Sequence, residues 1–226
     1  MLISLKNVVK IYAPAKEQPV RAINGLSLEV PRGDFVAILG RSGAGKTTLL
    51  NLMAGLTRPT SGEVLVESAN LWSLGDREQS RLRNRKIGFV FQFPSLLPSL
   101  TALENVALPN TFGKRLAGDE ARVRAGQLLE MVGLTDKRNA FPRHLSAGQQ
   151  QRVVVARALM NQPDILLADE ATSNLDEQTE QEIMTLFQQI HAETGVTIVM
   201  VVHSSYLVRY ATRSIQMANG KILSGD

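Results

Sequence analysis

Gly40, Arg41, Ser42, Gly43, Ala44, Gly45, Lys46 and Thr47 set glycines at 40, 43 and 45 ahead of a lysine and a hydroxyl, between the apolar run Phe35 to Leu39 and the helical pattern TTLLNLMAG. A chain that passes from a buried strand into a helix through so many small residues is committed to a βα unit, because glycine adopts backbone angles closed to other residues. The turned backbone directs N–H groups inward, the following helix adds the positive end of its dipole, and Lys46 adds a point charge. Such a cradle suits the phosphates of a nucleotide, with Thr47 as a ligand for Mg²⁺ and Thr48 beside it on the first helical turn. A glycine-rich turn that only caps a helix is the alternative, and the position between strand and helix argues against it.

The rest of the chain supports an α/β fold. Before the loop, Ile3 to Tyr12 and Leu26 to Val30 read as strands, as does Gly62 to Glu67 after it. They are separated by turn signals that include a loop with Pro14 and Pro19, and together they predict an antiparallel β-layer. From Asp34 onward, Phe35 to Leu39, Ile87 to Phe91, Ile165 to Ala168 and Thr197 to Val202 are short apolar runs alternating with helical segments, the pattern of a mostly parallel sheet flanked by helices. Between Gln92 and about Arg157 helical patterns such as Glu120 to Val132 and Gln149 to Met160 dominate. The expected organisation is one domain over 1–226, with 1–92 and 158–226 forming the β-layer and nucleotide core and 93–157 an inserted helical subdomain.

Composition narrows the function classes. With 44% hydrophobic and 20% charged residues the chain is globular and not disordered. No apolar run reaches the length of a membrane span, the longest being the short stretch Val196 to Val202. The N-terminus MLISLKNVVKIY has neither the apolar core nor the cleavage site of a signal peptide, so a cytoplasmic location is expected. The absence of cysteine excludes disulfides, thiolate metal sites and thiol nucleophiles. A net charge of +4 is too mild to argue for nucleic acid, and a solvated surface accounts for it.

Two further motifs carry chemistry. Asp169 and Glu170 end the run ILLADE, at the C-terminal edge where open α/β sheets hold ligands. Asp169 suits support of Mg²⁺, and Glu170 suits polarising the water that attacks a γ-phosphate. Strands ending in solvated acids are common, so the pair gains weight only with the phosphate loop. Ser146 and Gln149, within Leu145-Ser146-Ala147-Gly148-Gln149, form a helix-capping box ahead of QQRVVVARALM.

With the phosphate loop upstream and ILLADE downstream, this last segment resembles the Leu-Ser-Gly-Gly-Gln signature of ABC ATPases, and the resemblance covers essentially the whole chain. It implies a phosphate-loop NTPase core binding ATP and Mg²⁺, with Tyr12 stacking on adenine and Gln92 contacting Mg²⁺ and the attacking water at a hinge to the helical lobe. It also implies a loop at Ser173 to Asp176, and His203 hydrogen-bonded to the γ-phosphate. Two copies would pack head to tail, with Ser146, Ala147, Gly148 and Gln149 of each closing on the ATP held by the other. Ala147 stands where the family usually has the first signature glycine, and Ala171 where proline usually follows the catalytic glutamate.

The stretch FQFPSLLPSLTALENVALP and the loop APAKEQPV are similar to the subfamily of lipoprotein release and macrolide export. That implies FtsX-like permease partners and a peripheral place on the inner face of the cell membrane. An importer ATPase shares every one of these motifs. A soluble ABC protein of ribosomes or DNA repair would carry a second cassette or a long coiled-coil insertion, and a nonhydrolytic module would dispense with Lys46, Asp169, Glu170 or His203.

Overall fold

The apolar runs of the sequence become the centre of a twisted sheet, and the alternating runs become a second sheet beside it. The computed structural model describes residues 1–13, 18–113 and 115–225. Along the chain run β1 (Ile3–Tyr12), β2 (Val20–Val30), β3 (Phe35–Gly40), α1 (Lys46–Met53), β4 (Ser61–Val66), β5 (Ala69–Asn70), α2 (Asp76–Lys86) and β6 (Ile87–Val90). There follow α3 (Ala102–Gly113), α4 (Gly118–Met131), α5 (Ala147–Ala158), β7 (Ile165–Asp169), α6 (Glu177–Thr194), β8 (Thr197–Val201), β9 (Arg213–Ala218) and β10 (Lys221–Gly225). Part of the loop expected after Tyr12, residues 14–17, lies outside the described residues.

The four-stranded sheet has the order β2-β1-β4-β5 with antiparallel pairing throughout, as the alternating pattern predicts. The six-stranded sheet has the order β10-β9-β3-β8-β7-β6, parallel except for the β9–β10 hairpin. Strands β7 and β8 are buried along their full length, because both faces of the sheet are covered. Val36, Ile38, Ile165, Leu167, Val199 and Val201 pack toward α1 and the antiparallel sheet. Their alternate neighbours Phe35, Ala37, Leu166, Ala168, Ile198 and Met200 pack toward α5, α6 and the helices between β6 and β7. Each such fully buried Val, Leu or Ile stabilises the fold by about 1.5–3 kcal/mol.

Three features depart from the expected pattern. Helix α2 buries only Gln79 and so has no apolar stripe to announce it. The chain continues past the expected last strand into the β9–β10 hairpin, whose turn residues Asn219 and Gly220 have φ of 51° and 70°. Pro109 lies inside α3 and does not break it, its carbonyl accepting hydrogen bonds from Asn84 at 3.1 Å and Asn161 at 3.3 Å.

The link from β6 into α3 is held by Asn105, which is fully buried. Its amide donates to the carbonyls of Leu97, Leu100 and Thr101, and its Oδ1 accepts from the Leu97 N–H at 2.8 Å. One side chain thus bonds four backbone groups of a loop whose own backbone bonds are few, among them the Leu100 N–H to the Leu97 carbonyl at 3.1 Å. Asn105→Ala is expected to cost about 1–3 kcal/mol, the penalty for stranding buried polar groups, read from the midpoint of urea denaturation.

Candidate functional site

Lateral register brings the motif residues to one edge. Ile38, Val201 and Asp169 stand level across β3, β8 and β7, and Val90 stands level with Ala168 on the other side. Since these strands are parallel, the residues that follow them emerge together: the phosphate loop after β3, Gln92 after β6, Glu170 after β7 and His203 after β8. The site therefore occupies the C-terminal edge of the sheet.

The phosphate loop is held from behind. Gly45, with φ of 97°, caps α1, and a Cβ there would come within 2.3 Å of the Ala22 carbonyl on β2. No side chain fits there, so the close approach of the phosphate loop to β2 is written into one glycine. Lys46 is buried, and its ammonium donates to the carbonyls of Gly40 at 2.8 Å and Arg41 at 3.2 Å. It lies 3.8 Å from the Glu170 carboxylate.

The Thr47 hydroxyl donates to Asp169 Oδ1 at 3.2 Å. Burial raises the Asp169 carboxyl above its ordinary range, and the neighbouring charge of Glu170 adds to this, while the Thr47 hydroxyl and Lys46 hold it down. A desolvated carboxylate beside a hydroxyl fits a divalent cation, which would relieve the cost of its charge. Among the described residues no group of three or more His, Cys, Asp or Glu side chains gathers anywhere. The chain thus offers a hydroxyl and a carboxylate, a sparse donor set that suits Mg²⁺ completed by phosphate oxygens and water.

Glu170 has φ of 46°, a left-handed conformation that costs a non-glycine residue about 1–3 kcal/mol. Its N–H is held by the Val201 carbonyl at 3.2 Å, and its carbonyl accepts from the Ser173 hydroxyl at 3.1 Å. The Gln92 amide donates to that Ser173 hydroxyl at 3.2 Å. Gln92 therefore reaches the acidic pair through Ser173, a bridge that needed the fold to be visible. His203 turns instead toward Glu180, with Nε2 3.8 Å from Oε1. Tyr12 ends β1 with its ring exposed and Lys10 4.8 Å above it, on the strand that pairs with the segment backing Gly45.

Ser146 to Gln149 stand apart from this group. Ser146 Oγ accepts from the Gln149 N–H at 3.2 Å, and Gln149 Oε1 accepts from the Ser146 N–H at 2.9 Å, so the expected capping box forms at the start of α5. The N–H groups of Ala147 and Gly148 have no acceptor within the helix. Among the described residues no hydrogen bond or ion pair links this turn to the phosphate loop. The two signature positions are not equivalent: Ala147 is exposed, whereas a Cβ on Gly148 would meet Thr179 Cγ2 at 2.5 Å. Ala171 is buried, and nothing in the structure explains why alanine stands there.

The ABC transporter family model matches residues 23–173. The chain is 44% identical over 222 residues to the macrolide export ATP-binding/permease protein MacB of Syntrophobacter fumaroxidans, a match covering 98% of this chain and 31% of that protein. It is 45% identical over 200 residues to the lipoprotein-releasing system ATP-binding protein LolD 1 of Chlorobium chlorochromatii, covering 88% of this chain and 81% of that one. Among solved structures it is similar to the dimeric post-hydrolysis state of the ATP-binding cassette MJ0796 of Methanocaldococcus jannaschii bound to ADP and Pi. That likeness has a TM-score of 0.90 at 42% identity, over 99% of this chain and 97% of that chain.

Gly148→Ala is expected to destabilise the chain by about 1–3 kcal/mol, since Thr179 is pinned by Asp176 and must move for an added methyl. Ala147→Gly is expected to leave ATP turnover unchanged or higher. Thermal melts and ATPase rates of the two variants check both outcomes.

Proposed function

The chain belongs to the ABC transporter family as an ATP-binding and ATP-hydrolysing cassette, and on that premise we propose that it drives a separate FtsX-like permease in lipoprotein release or macrolide export. It acts as a head-to-tail pair of copies at the cytoplasmic face of the cell membrane. Among the described residues no helix is long and apolar enough to cross a membrane, which leaves that task to the permease. The observation that carries this reading is the division of the site: Lys46, Thr47, Asp169 and Glu170 meet at one sheet edge, while among the described residues the capped start of α5 forms no hydrogen bond or ion pair with them. A second copy supplies the missing wall.

In this reading adenine stacks on Tyr12, and the amides of residues 40 to 48 with Lys46 hold the phosphates. Thr47, Asp169 and Gln92 would hold Mg²⁺, which when bound neutralises charge on the phosphate oxygens. Glu170 orients the attacking water, its strained backbone aiming the carboxylate toward the loop. His203 donates to the γ-phosphate. The start of the partner copy's α5 directs its free N–H groups and dipole at the same phosphate. Cleavage of the terminal phosphate removes that bridge, and the copies part.

Gln92 and Ser173 tie this event to residues 93–157, which act as a lobe moving against the core. The permease docks in the groove beside Gln92, where exposed Leu56, Phe91 and Phe112 form an apolar floor and Arg77, Arg81 and Arg85 of α2 line the rim. An acidic, apolar-faced cytosolic segment of the permease complements that surface. Phe112→Asp is expected to dissociate a permease expressed with this chain; a complex that survives would place the contact elsewhere.

Glu170→Gln removes the group that orients water and leaves the phosphate contacts. Hydrolysis is expected to fall ~100-fold or more, and size-exclusion chromatography in Mg-ATP should show a dimer that wild type forms only transiently. A variant hydrolysing near the wild-type rate would reject this role for Glu170.

A further inference from the structure

Besides Asp169, Glu180 is the one buried carboxylate among the described residues. It lies in the first turn of α6, a helix that otherwise turns Ile183, Met184, Leu186 and Phe187 into the core. A carboxylate on such a face costs desolvation that an apolar residue would avoid, so it calls for a partner. Its Oε1 accepts a 2.7 Å hydrogen bond from the buried Thr172 hydroxyl, and the same oxygen lies 3.8 Å from Nε2 of His203. The imidazole is 40% exposed while the carboxylate is 5% exposed, so the fixed partner is the glutamate and the movable one is the histidine.

We propose that Glu180 is a positioning residue for hydrolysis: anchored by Thr172, its carboxylate keeps the His203 ring at the sheet edge instead of swung into solvent. The inference rests on the reading that His203 acts on the γ-phosphate. Thr172 follows Glu170 by two residues, in the same short segment whose Ser173 bonds Gln92. From the start of α6, Glu180 therefore joins two parts of the site that follow different strands: the segment after β7 and the residue after β8. A shift of that segment, felt first at Gln92, reaches His203 through one buried side chain.

The test is a double-mutant cycle in the full chain, measuring kcat and KM for Mg-ATP. Glu180→Gln keeps volume and an acceptor for Thr172 while removing the charge. It is expected to lower kcat about fivefold with KM within about twofold. Combined with His203→Ala, it should add no further loss, because the ring it positions is gone. Multiplicative losses in the double variant, or wild-type turnover by Glu180→Gln, would overturn the proposal. Wild-type turnover by His203→Ala would instead remove His203 from the reaction, and the proposal with it. Should Glu180→Gln fail to fold, Glu180→Asp, which draws the charge back by one methylene, goes through the same cycle with the same coupling expected.

Discussion

The lateral register of β3, β8 and β7 is the constraint on which the site depends. Ile38, Val201 and Asp169 lie in one rank, with Glu170 one residue and His203 two residues beyond it and the phosphate loop leaving β3 at the same edge. A slip by one residue in any of these strands would turn its buried faces over, which the packing forbids because the two faces meet different partners. Val199 and Val201 face α1 and the antiparallel sheet, while Ile198 and Met200 face α5 and α6. Hydrophobic packing of these faces, worth many kcal/mol in sum, therefore sets positions in the site to within a hydrogen bond. The same order lets the fold carry the cost of Glu170 in a left-handed conformation.

Much of this was legible in the sequence, for a physical reason. The phosphate loop, the acidic pair and the capping box at Ser146 are local motifs whose chemistry follows from neighbours a few residues away, and the structure forms each as a local unit. The parallel strands announced themselves as short apolar runs because both faces are buried. Helix α2 did not, since its sequence DREQSRLRNRK has no apolar stripe and its one buried side chain is a glutamine. The β9–β10 hairpin carried a readable sign in Asn219-Gly220 between alternating apolar residues. The bonds made by Asn105, Ser173 and Glu180 were illegible for a different reason, Ser173 marking only the start of a loop in the sequence. Each of the three looks like an ordinary polar residue on a helix or loop until the fold brings Leu97, Gln92 and His203 to it.

The signature turn shows how a departure from a family pattern is tolerated. Gly148 is pressed against Thr179 and admits no side chain, whereas Ala147 sits in the open at the first helical position. The methyl group thus falls where the chain itself has room, and alanine favours the helix that glycine would weaken. One chain sets its loop, acids and histidine on one sheet edge and its capped helix elsewhere, the arrangement on which the proposed pairing of two copies rests.

The absence of cysteine from the chain allows a direct test of that pairing, since introduced thiols are the only ones present. Ser42 and Ala147 are both exposed, one on the phosphate loop and one on the signature turn. Two single-cysteine proteins, Ser42→Cys and Ala147→Cys, each also carrying Glu170→Gln, would be mixed in Mg-ATP and treated with a short bismaleimide. The head-to-tail account predicts a covalent dimer only when both proteins are present and only with nucleotide. A dimer formed by either protein alone, or no dimer from a mixture that has bound ATP, would contradict it.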